Sequence, residues 1–139
     1  MTPWQQDFKD LLDNNTRYPD SLLNARVNTS FITIPQTTID YEKLHEIMIS
    51  YDQVKYCITK LEKHLDGGLH IHQVIRLKQQ TRLKQIHQKI ALCEGTIKGT
   101  INYQKCNKIT AAIQYLKKVE TEVKDKPYLE WGDAPLAPR

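Results

Sequence analysis

Acid is nearly missing from the middle of this chain. Between Leu69 and Val119 the one acidic residue is Glu94, while Arg76, Lys78, Arg82, Lys84, Lys89, Lys98, Lys105, Lys108, Lys117 and Lys118 fall in the same stretch. Phosphate attraction explains that asymmetry well, and a solvated helix face explains part of it. Cysteine is scarce too. Cys57, Cys93 and Cys106 form no CxxC pair and no even set, which reads as reduced intracellular thiols packed as small apolar groups. No uncharged apolar run approaches membrane-spanning length, and Met1 to Asp10 lacks the pattern of a signal peptide. There is no internal repeat, no low-complexity segment and no GxxxxGK[ST] phosphate loop.

What is present fits one compact domain: 139 residues, 40% hydrophobic and 26% charged, with a net charge of +4. Mild basicity permits nucleic-acid binding without establishing it. Trp4, Phe8, Leu11 and Leu12 share one helical face. Val27 to Ile34 reads as a strand closed by Pro35, and Thr37 and Thr38 as caps for a helix carrying Tyr41, Leu44, Ile47 and Met48. Gln53 to Leu61 and Leu69 to Leu77 read as strands joined by a turn at Asp66-Gly67-Gly68. Thr81 opens a helix with Leu83, Ile86 and Ile90, Thr100 to Lys105 is a fourth strand, and Ile109 to Val119 is a third core helix. The prolines from Lys124 onward predict an irregular tail. This order predicts an α+β fold, an antiparallel sheet with helices packed mainly on one face in a ferredoxin-like or RRM-like sandwich.

Gly67-Gly68-Leu69-His70-Ile71-His72 is the most telling stretch. Residues two apart on a strand share a face, so His70 and His72 present adjacent imidazoles, and Glu62 at the end of the preceding strand can add an oxygen. Two imidazoles, a carboxylate and open positions suit Mn²⁺ or Mg²⁺ acting on a substrate oxygen. The plainer reading is two surface histidines on a half-solvated strand. His64 is a substitute ligand or, more simply, a solvated turn residue, and His45 and His87 read as surface or boundary residues of helices. Tyr115 has Lys118 on the same helical face, which suits a phenolic nucleophile with a cation beside it; packing and solvation explain the same pair.

Three segments in order resemble the motifs of rolling-circle replication initiators, the Rep proteins of circular single-stranded DNA viruses of geminivirus and circovirus type and of related plasmids. Phe31-Ile32-Thr33-Ile34-Pro35-Gln36 resembles their "FLTYPQ" strand, His70-Ile71-His72 their His-hydrophobic-His metal motif, and Tyr115-Leu116-Lys117-Lys118 their Tyr-x-x-Lys motif. Leu77-Lys78-Gln79-Gln80-Thr81 is similar to the "KKQT" entry to the second helix, Asn102, Gln104 and Lys105 to the "NIQxAK" strand, and Glu130-Trp131-Gly132 to the close of the domain. The resemblance runs from Val27 to Gly132. It departs where the family often has an acid after the motif lysine: here Val119 stands there, with Glu120 next.

The resemblance implies an HUH endonuclease fold and a reaction. Glu62, His70 and His72 hold the divalent metal, Tyr115 attacks the scissile phosphate of a single-stranded origin stem-loop, and Lys118 assists. The product is a 5′-phosphotyrosine that a new 3′-hydroxyl can reverse, giving nicking and joining. Arg26, Asn28, Thr33, Asn102, Lys105 and Lys117 are the expected DNA contacts. Residues 1–26 would be a helical extension, 27–125 the endonuclease domain, and 126–139 a proline-containing tail toward a helicase domain absent here. The whole protein would oligomerise through that helicase region, without a membrane, in a host nucleus for a eukaryotic virus or the cytoplasm for a bacterial plasmid. Three readings compete. A non-catalytic RRM-like module needs paired aromatics that the His strand lacks. A single-tyrosine HUH transposase lacks the "FLTYP"-type strand. A plain metal hydrolase would keep activity in Tyr115→Phe.

Overall fold

The computed structural model describes residues 20–64, 68–106, 108–118 and 122–134. The helix expected from Trp4 to Leu12, the Asp66-Gly67 half of the turn, and Val119 with Glu120 lie outside the described residues. After a single helical turn, α1 (Asp20–Leu23), the chain runs β1 (Arg26–Ile34), α2 (Tyr41–Ile49), β2 (Val54–Lys63) and β3 (Leu69–Arg82). It continues with α3 (Leu83–Ile90), β4 (Asn102–Lys105), α4 (Ile109–Leu116) and β5 (Leu129–Gly132). The strands form one antiparallel sheet in the order β4-β1-β3-β2-β5. The fold is α+β, as the element order predicts.

Alternation along the strands builds two faces. Ile32, Ile34, Cys57, Leu61, Ile71, Ile75 and Leu77 point to one side, where they pack with Leu44 and Met48 of α2 and Ile86 and Ile90 of α3. Tyr56, Ile58 and Val74 point to the other and pack with Ile113 and Leu116 of α4. The expectation of helices mainly on one face is therefore corrected. Ile109, Ala112, Ile113 and Leu116 make a stripe at helical spacing that has to be covered, and the apolar patch in mid-sheet covers it.

Three local details also differ from expectation. Asp40, not Thr37 or Thr38, caps α2, its carboxylate accepting the Glu42 N–H at 2.9 Å. Thr37 instead accepts from the Ile39 N–H at 3.0 Å and donates to the Thr96 carbonyl at 2.8 Å, which ties two loops together. Thr81 is still in β3, opposite Val27, so the helix starts after it. The tail is not wholly irregular, because Leu129–Gly132 extends the sheet along β2. Gly132 makes that pairing possible: its φ is +96°, and a Cβ there would lie 2.2 Å from the Lys55 carbonyl oxygen.

His45 and His87, expected at the surface, are buried. His45 Nδ1 lies 2.8 Å from Thr59 Oγ1, which also accepts from Gln73 Nε2 at 2.9 Å. His87 Nδ1 is hydrogen-bonded to the Tyr103 hydroxyl. Burial lowers both histidines' pKa values, that of His87 to about 4, so both are neutral core groups at neutral pH. Of the cysteines, Cys57 and Cys93 are buried and Cys106 is partly so. Among the described residues no helix is long and apolar enough to cross a membrane.

Candidate metal and tyrosine site

The β2–β3 hairpin sets the site. Its register pairs Glu62 with His70 and Lys60 with His72, all on the α4 side of the sheet. β1 adds Thr33 opposite His72, and β4 adds Asn102 opposite Thr33, so Asn102, Thr33, His72 and Lys60 form one row across four strands. Thr33 Oγ1 lies 3.2 Å from His72 Nδ1. With that nitrogen engaged, Nε2 faces Glu62 Oε1 at 3.5 Å, longer than a good hydrogen bond. Thr33 thus orients the His72 ring through one nitrogen and leaves the other directed to the Glu62 side, as an outer-sphere partner does for a metal-binding histidine.

His64, just past the end of β2, brings its Nε2 to 3.2 Å from Glu62 Oε1. One donor atom from each of Glu62, His64 and His72 lies within 4.8 Å of the others, close enough to converge on one ion. Glu62 and His72 are buried, which leaves His64 as the solvent-side member. His70 backs this group: its ring stacks on His64 with centroids 3.6 Å apart and planes 29° apart. The expected donors Glu62 and His72 thus come together, with His64 in the third place and His70 behind it. The signal for His64 was in the sequence, since two residues past Glu62 is the spacing that keeps a strand face.

Tyr115 lies over this hairpin. Its ring meets His72 edge-on with centroids 5.9 Å apart and Phe31 at 6.2 Å. It is 44% exposed, so its hydroxyl can meet a solvent-borne substrate. Lys118 Nζ sits 5.6 Å from the Tyr115 ring centroid. Burial, and then the Glu62 charge, raise the Tyr115 pKa, so the phenol is held in its protonated form. Burial lowers the pKa of His72 against the opposing pull of Glu62, which favours the neutral imidazole that a metal needs.

The remaining expected residues scatter. Lys117 points away, its Nζ 3.4 Å from Glu130 Oε1 and over the Tyr128 ring. Glu130 also accepts from the Tyr56 hydroxyl at 2.6 Å, so this group joins α4, β2 and β5. Arg26 and Asn28 are exposed at the opposite end of β1, with Arg26 about 23 Å along the strand from Thr33. Asn102 is exposed in the His72 row, and Lys105 lies opposite Ser30 in register. Sequence reasoning passed over Lys60, which is fully buried beside His72. Its place between Ile58 and Glu62 on one strand face was the available signal.

No family model matches the chain, and no curated protein does either.

Proposed function

We propose that this domain nicks and rejoins single-stranded DNA at a replication origin, in the manner of the rolling-circle initiators its motifs resemble. The observation that carries the reading is the juxtaposition of an exposed tyrosine with a Glu–His–His donor group: Tyr115 stands edge-on to His72, whose Nε2 faces Glu62. The donor chemistry fits a divalent ion. Glu62 gives oxygen, His64 and His72 give nitrogen, and mixed donors of this kind favour Mn²⁺ over Mg²⁺. When bound, such an ion would polarise a phosphate oxygen.

The chain's own residues then have distinct tasks. Thr33 holds the His72 ring in orientation, and His70 supports His64 by stacking. The Tyr115 oxygen attacks phosphorus and loses its proton, while the bond from phosphorus to the 3′-oxygen breaks and that oxygen leaves as a hydroxyl. The DNA 5′-phosphate stays on the tyrosine as a phosphodiester, so attack by a 3′-hydroxyl reverses the step without ATP. Lys118, beside the Tyr115 ring, offsets the negative charge that develops there. Thr33 and Asn102, in the His72 row, are the expected DNA contacts nearest to this chemistry.

An RRM-like base-stacking module fits less well, because α4 packs over Tyr56, Ile58 and Val74, the part of the sheet such a platform would leave open. The test is incubation with a pool of single-stranded stem-loop oligonucleotides and Mn²⁺, resolved on a denaturing gel. A covalent protein–DNA adduct is expected with the wild type, and none with Tyr115→Phe or with EDTA. Cleavage that survives Tyr115→Phe without an adduct would instead make this a hydrolase.

A further inference from the structure

Lys60 is 1% exposed, and its ammonium donates to the main-chain carbonyl of Lys118, just past the end of α4. Among the described residues no carboxylate comes within 4.0 Å of that ammonium in an ion pair. Burying an ammonium is costly, and an unbranched apolar chain would fill the same space more cheaply. What methionine or leucine cannot do is hydrogen-bond the Lys118 carbonyl, beside a helix end where a cation also opposes the dipole.

α4 needs such a contact. It is 8 residues long, and a helix this short is marginal without tertiary support. Ile113 and Leu116 anchor one side of it, whereas Tyr115 is on the exposed side, so a twist of the last turn would swing the phenol away from His72. Lys60 is two residues before Glu62 on the same strand face and directly opposite His72. The geometry points to Lys60 as a positioning residue, a buried ammonium that ties the chain leaving the tyrosine helix, two residues past its end, to the strand carrying the metal donors. The catalytic consequence rests on the nicking reading above; the tether itself does not.

The experiment compares wild type, Lys60→Met and Lys60→Arg in two assays. Single-turnover adduct formation with Mn²⁺ should slow at least about tenfold in Lys60→Met at saturating oligonucleotide, since small misplacements of a reacting group have effects of this order. The oligonucleotide and Mn²⁺ concentrations for half-saturation should stay within about twofold, because Lys60 is neither a ligand nor an exposed contact. Lys60→Arg, which keeps a buried cationic donor, should recover most of the rate. Hydrogen exchange should be faster at Leu116 to Lys118 in Lys60→Met and near wild type in Lys60→Arg. An unchanged rate and unchanged exchange in Lys60→Met would overturn the proposal. So would a rate loss that Lys60→Arg does not relieve. If even the wild type forms no adduct, the nicking reading fails. Exchange then decides the tether alone, faster exchange in Lys60→Met upholding it and unchanged exchange overturning it.

Discussion

On the α2–α3 side of the sheet, His45 and His87 are each shut in with a hydroxyl partner, Thr59 for one and Tyr103 for the other. On the α4 side, His64 and His72 approach one carboxylate, His70 stacks behind, and an exposed tyrosine faces the group. β2 serves both sides, its side chains alternating between Thr59 on one and Glu62 on the other. Burial alone does not separate the two groups, since His72 is buried as well. The separating feature is convergence on a negative oxygen. His45 and His87 each face a hydroxyl, whereas His64 and His72 both approach Glu62 and form with it a candidate metal centre.

Substitutions that act on one side of the sheet only separate the two groups. The largest effect on stability is expected at Ile75, fully buried against the α2–α3 layer. Ile75→Ala should cost about 3 kcal/mol in urea unfolding through lost burial and the cavity left behind, with Mn²⁺ affinity nearly unchanged. Coupled loss of both would mean that the two sides are not energetically separate.

Next comes pH. His87 is held at about 4 by burial, against 6.5 in an unfolded chain, so the native state is favoured most at pH above 6.5. As pH falls from 6.5 to 4 the unfolded chain takes up the proton first, and about 3 kcal/mol of stability is lost before the folded histidine titrates. Urea midpoints at pH 7 and pH 4.5 should therefore lie closer together in His87→Gln than in the wild type. An equal separation would show that His87 is not held neutral.

The finest test divides the α4-side histidines among themselves. His64→Ala should weaken Mn²⁺ binding about tenfold or more, whereas His70→Ala, which removes stacking support, should weaken it by a few-fold at most. The reverse order would restore Glu62, His70 and His72 as the ligand set.

Much of this was readable beforehand, for a physical reason. Strand alternation put His70, His72 and Glu62 on one face, and the structure keeps them there. The helical spacing of Ile109, Ile113 and Leu116 marked the apolar side of the tyrosine helix, though not which face of the sheet would receive it. That choice depends on the patch of Tyr56, Ile58 and Val74, assembled from two strands distant in sequence from α4. The edge strand Leu129–Gly132 is likewise specified by its partner β2 and not by its own four residues. Histidine reads as polar, so the sequence alone places His45 and His87 at the surface. Each in fact completes a stripe at positions i, i+3, i+4 and i+7: Tyr41, Leu44, His45 and Met48 in α2, and Leu83, Ile86, His87 and Ile90 in α3. Lys60 was passed over because a lysine in a strand ordinarily reaches solvent.

Mn²⁺ titration followed by electron paramagnetic resonance decides whether the α4-side histidines and Glu62 form a metal centre. Wild type and Glu62→Gln would be compared, with thermal melts run in EDTA. One saturable site is expected in the wild type, weakened at least about tenfold in Glu62→Gln, while both proteins melt alike without metal. Absence of saturable binding in the wild type, or binding that Glu62→Gln leaves intact, would contradict it.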